Sequence, residues 1–147
     1  DLKKLFEVTE YGKTIAEEHG ISIPKKQTRG GLEHDYWIEQ TVQFLRKHEF
    51  EPVCEVDNID IVDTKAGLAI EIETGKSDIK ANLLKLENSR ISSCFMLATN
   101  KQAEVKIKKI ADEYAEKYSF IKIMLAKDFQ KLKQDQIISP IPLTPMK

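Results

Sequence analysis

Cysteine is scarce in this chain, two in 147 residues, which excludes a small domain held by a disulfide framework. Cys54 and Cys94 are expected to be free buried thiols in a reducing compartment. Neither has a second Cys or a His at ligand spacing, so a structural zinc site is not expected. No apolar run nears the roughly 20 residues that span a bilayer, so no membrane association is expected. The charged N-terminus lacks the apolar stretch of a secretory leader, and a cytoplasmic location follows as the expectation. Opening on Asp1 instead of Met suggests a segment excised from a longer protein. The formal net charge is only −1, so a nucleic-acid partner would require Lys and Arg gathered on one surface.

What the chain does have is the composition of a globular domain, 41% hydrophobic and 32% charged. Three segments are expected. Residues 1–29 read as a short strand, a helix and a basic linker, similar to the end of a winged-helix module or to an ordinary packed helix. Residues 30–138 form the main domain, and 139–147 a proline-rich tail. In the main domain, Trp37, Ile38, Thr41, Val42, Phe44 and Leu45 give an apolar face to a helix over about 32–48. Three short strands follow, Pro52 to Val56, Ile59 to Asp63 and Leu68 to Thr74. A helix from about 78 to 88, N-capped by Ser77, leads to Ser93–Ala98, an uninterrupted apolar run that predicts a strand buried on both faces. A charged helix over about 101–117 and a strand from Phe120 to Leu125 complete an α/β fold: a central mixed sheet flanked by helices.

Three acids stand out. Side chains alternate along a strand, so Glu71 and Glu73 share one face and Ile70 and Ile72 the other. On the strand before, Ile59 and Ile61 share a face and Asp60 opposes them. If both isoleucine pairs enter the core, all three carboxylates emerge together. A hairpin with a two-residue loop (Lys65-Ala66) or a four-residue loop (Thr64 to Gly67) places Asp60 directly across from Glu71, and a one-residue slip would turn it to the apolar side. Carboxylates that close either shift a pKa or bind a cation. An all-oxygen site suits Mg2+ or Mn2+. The competing reading is three acids on a solvated sheet face.

At these residues the chain resembles the PD-(D/E)xK nuclease superfamily, which holds restriction endonucleases, Holliday-junction resolvases and Mrr-like enzymes. The likeness rests on Asp60, then Ile70-Glu71-Ile72-Glu73-Thr74-Gly75-Lys76-Ser77, within an αβββαβ restriction-endonuclease-like core over about residues 30–125. The stretch from Gly67 to Lys80 resembles nuclease-like domains attached to DNA-handling ATPases of the HerA or conjugation type. The resemblance implies a metal-dependent DNA endonuclease. Asp60, Glu71, the backbone carbonyl of Ile72 and Glu33 of the first helix would hold Mg2+ or Mn2+. Glu73 occupies the position usually held by Lys, where it would bind a second metal or accept a proton, and Lys76 would supply the missing positive charge. A site spoiled by that exchange would leave a degenerate module that binds DNA or docks an ATPase. Cutting both strands would further imply a homodimer.

Lys76 and Lys80, four apart on one side, are the expected phosphate contacts, with Arg29 of the linker. Lys85 and Arg90 read as solvated helix surface. His34 reads as a surface or capping contact. Thr74-Gly75-Lys76-Ser77 is not a P-loop, because Ile70 stands where that motif needs Gly.

Overall fold

The computed structural model describes residues 31–138. The N-terminal segment with its winged-helix-like reading, Arg29 and the tail lie outside the described residues. The elements run α1 (Gly31–Lys47), β1 (Val53–Val56), β2 (Ile59–Asp63), β3 (Leu68–Glu73), α2 (Ile79–Ser89), β4 (Ser93–Ala98), α3 (Lys101–Asp112), β5 (Ile121–Leu125), and two single-turn helices, α4 (Ala126–Phe129) and α5 (Gln134–Ile137). Among the described residues no helix is long and apolar enough to cross a membrane.

The five strands form one sheet in the order β1-β2-β3-β4-β5. The first three are joined by hairpins and pair antiparallel. Passage through α2 and then α3 makes β3, β4 and β5 parallel, as expected when a helix connects neighbouring strands. The sheet is therefore mixed.

Alternation along β4 feeds two cores. Cys94, Met96 and Ala98 pack with Leu83 and Leu86 of α2 and Ile107 of α3. Phe95 and Leu97 turn to Leu45 of α1 and Phe129 of α4. Burying both faces of the central strands explains why their sequences read as continuous apolar runs.

Several local expectations are corrected. Asp78, not Ser77, caps α2, accepting from the Ala81 N–H at 3.1 Å; the Ser77 hydroxyl is taken by Glu73. Helix α3 ends at Asp112, before the left-handed Ala115. Both cysteines are free, but only Cys94 is buried; Cys54 is exposed on the edge strand β1.

Candidate active site

The hairpin between β2 and β3 uses the four-residue loop Thr64 to Gly67, closed by the Gly67 N–H on the Asp63 carbonyl at 2.9 Å. The buried Asp63 carboxylate secures it by accepting from the Ala66 and Glu51 N–H groups. This sets Ile61 opposite Ile70, Val62 opposite Ala69 and Asp63 opposite Leu68. One step further along the same register lies the pair Asp60 and Glu71.

At that pair the ordinary ladder gives way. The Asp60 N–H donates to Glu71 Oε2 at 3.1 Å, and the Ile72 N–H donates to Asp60 Oδ2 at 2.8 Å. Each carboxylate thus takes the place of a main-chain acceptor on its own strand. On the other side of β2 lies the hairpin with β1. Asp57 and Asn58, the two residues between β1 and β2, both have positive φ, as a tight two-residue turn requires. Glu55, across from Asp60, is also left-handed at φ 59°. Regular alternation fails there, and Ile59 joins the core under α2 and α3 while Ile61 joins the one under α1. The expectation that these two isoleucines share a face is thereby corrected.

The parted strands border a cleft of about 190 Å³, lined by His34, Glu55, Asn58, Asp60, Glu71, Ile72, Thr74, Lys76, Ser77, Asn82 and Lys85. The Glu71 side chain is only 3% exposed. Burial, and next the charge of Asp60, push its pKa up to about 8, against partial relief from Lys85. Lys85 reaches across from α2, its Nζ 3.4 Å from Glu71 Oε2 and donating to the Asn58 carbonyl at 2.8 Å.

His34 corrects its expected surface role: Nε2 lies 3.1 Å from Asp60 Oδ2. Burial disfavours its charged form, but the hydrogen bond and charge of Asp60, with help from Asp35, outweigh this and raise its pKa. The sequence held a signal for this placement. His34 lies four, seven and eleven positions before Ile38, Thr41 and Leu45, on the inward face of α1.

The predicted acidic cluster is only partly assembled. Glu73 is fully buried and turned into the loop after its own strand. Its Oε2 accepts from the Gly75 N–H at 2.8 Å, and its carboxylate also binds the Ser77 hydroxyl and the Asn82 amide. Glu33 binds the Thr99 hydroxyl and the Asn100 amide, joining α1 to the loop before α3. Neither Glu73 nor Glu33 lines the cleft. Lys76 does, whereas the Lys80 ammonium stands 6.0 Å from the ring centroid of Tyr114. Lys85, assigned to solvent by the sequence, is the lysine that touches an acid of the pair. Its signal was the three-residue spacing from Asn82, which puts both on one side of α2.

Among the described residues, no group of three or more His, Cys, Asp or Glu side chains is arranged to hold a metal ion. A smaller oxygen donor set is present. The N–H and C=O of one strand residue point toward the same neighbour, so the Ile72 carbonyl faces the β2 side as its N–H does. Together with the Asp60 and Glu71 carboxylates it offers hard oxygen donors that fit Mg2+ or Mn2+, and a cation there would offset the Asp60 charge, which adds to burial in raising the Glu71 pKa. No protein-family model matches the chain, no curated protein matches it in sequence, and no solved structure matches it in fold.

Proposed function

We propose that this chain is a metal-dependent DNA endonuclease of the PD-(D/E)xK type, hydrolysing phosphodiester bonds in the cleft built on Asp60 and Glu71. The observation that carries the reading is the pairing of these carboxylates where β2 and β3 part, with Lys76 and Lys85 in the same cleft. The order helix, three antiparallel strands, helix, strand agrees with the αβββαβ core that the resemblance implies. Asp60, Glu71 and the Ile72 carbonyl would hold Mg2+ or Mn2+, which supplies an acidified water and offsets charge on the phosphate. His34 holds the Asp60 carboxylate in place from α1. Glu73 fixes the Thr74–Ser77 loop that presents Lys76 to a phosphate. Glu33 and Glu73 take no part as metal ligands in this reading.

The test compares Asp60→Ala and Glu71→Ala with the parent chain on supercoiled, linear, single-stranded and branched DNA, with Mg2+ or Mn2+. Both variants should lose cleavage and keep their circular dichroism spectra. Undiminished cutting by both ends the proposal.

A second reading is a nuclease-like module that binds DNA without cutting it. The engagement of Glu73 by the Gly75 N–H, the Ser77 hydroxyl and the Asn82 amide favours it, because the acid at the usual Lys position is then turned away from the acid pair. That module binds DNA equally well in EDTA and in Mn2+, and cuts none of the four substrates.

A further inference from the structure

Lys85 differs from the other lysines of this region in what it touches. Its neighbours Leu83 and Leu86 are fully buried, so the backbone of α2 is fixed against the sheet at that point. The side chain is 29% exposed and lies in the cleft. An ammonium carries three donors. One is engaged by the neutral Asn58 carbonyl at 2.8 Å. The contact with Glu71 at 3.4 Å is longer than the roughly 2.7–2.9 Å of a strong charge-assisted hydrogen bond. The carboxylate of Glu73, by contrast, is held by three donors, the Gly75 N–H, the Ser77 hydroxyl and the Asn82 amide, at 2.8–3.0 Å. The Lys85 head group is tethered loosely, at the end of a flexible four-carbon stem.

A divalent ion placed on Asp60 and Glu71 would meet that ammonium within a few ångströms, in a site shielded from solvent, where like charges repel strongly. The ammonium would have to leave Glu71. Beside it in the same cleft is Lys76, a second cation that suits a phosphate oxygen, whereas Glu55, a further carboxylate of the lining, stands on β1, separated from Glu71 by β2. Lys80, the alternative cation on α2, is directed to Tyr114.

We infer that Lys85 is a phosphate-binding residue of this cleft, held on Glu71 in the structure and transferred to a phosphate oxygen of a nucleic-acid strand when a divalent cation occupies the acid pair. The inference rests on the cation site proposed above. It makes ion binding and phosphate binding cooperative: the ion releases the lysine, and the lysine then helps to hold the strand.

Two measurements on the full chain test it. Mn2+ affinity is read from the electron paramagnetic resonance of free Mn2+. Affinity for a short fluorescein-labelled single-stranded DNA is read by anisotropy in EDTA and in Mn2+ on ice, with strand integrity checked on a gel. In the parent chain, Mn2+ should strengthen DNA binding by about tenfold, the size of one charge-assisted contact. Lys85→Met removes the competing cation, so Mn2+ should bind several-fold more tightly, while the gain in DNA affinity should shrink several-fold. Lys85→Arg should preserve the gain, and Lys127→Met on α4 should change neither quantity. If Lys85→Met fails to fold, Lys85→Gln takes its place. Either quantity unmoved by removal of the Lys85 charge overturns the inference. Failure of the underlying site reads differently: the parent chain then shows no Mn2+ binding that Glu71→Gln abolishes, and both proposals fall together.

Discussion

Glu71 and Glu73 are two positions apart on one strand and face the same way, yet their surroundings give them different chemistry. Glu73 has hydrogen-bond donors all round it, and Glu71 has Asp60 beside it and a single loose cation. The raised Glu71 pKa fixes a pH dependence in EDTA. Folded Glu71 keeps its proton up to about pH 8, whereas an unperturbed Glu loses it near 4.5. Across that window the folded state binds more protons, so the Glu71 contribution to stability falls as pH rises from 4.5 to 8. His34, also raised, slopes the same way, so the Glu71 part must be isolated by substitution. Glu71→Gln should flatten the profile and exceed the parent chain by roughly 2–4 kcal/mol above pH 8. Urea titrations at pH 5, 7 and 9 measure this, and a parent profile that rises with pH would contradict it.

At the scale of elements, two of the acids implied as catalytic serve as joints. Glu33 ties α1 to Thr99 and Asn100 at the end of β4, and Glu73 ties β3 to the first turns of α2. Removing either carboxylate leaves its donors, most of them half-buried, to water and cuts a link between elements. Glu33→Ala and Glu73→Ala should therefore each cost roughly 1–3 kcal/mol in urea unfolding, while Mn2+ still binds at Glu71. Loss of Mn2+ binding without loss of stability would return both residues to the metal site. Most elements themselves were legible, because strand alternation, helical stripes and the buried run Ser93–Ala98 are local patterns. The partners of Glu33 were not. Thr99 lies 66 residues from Glu33, and nothing in either segment encodes the contact.

For the whole molecule, the sheet is packed on both faces by side chains that owe nothing to an ion. EDTA should leave the domain folded with its cooperative melt intact. Mn2+ should raise Tm in proportion to the logarithm of its concentration, by roughly 5–10 °C at one hundred times Kd, where a ligand adds about 2.7 kcal/mol. Glu71→Gln should abolish the rise, and calorimetry with and without Mn2+ reads it. An equal rise in that variant would place any bound ion elsewhere.

The sequence by itself determined the order of elements, the mixed character of the sheet and the meeting of Asp60 with Glu71. These follow from side-chain period and from a hairpin of four loop residues, both short-range constraints. Tertiary structure alone decided which further groups join that pair. The β2–β3 ladder ends at Ile61 and Ile70, and the docking of α1 and α2 on the sheet delivers His34 and Lys85 to the pair, while Glu33 and Glu73 bind elsewhere. A period tells which face of an element a side chain occupies. Only the docking of one element on another tells what that face meets.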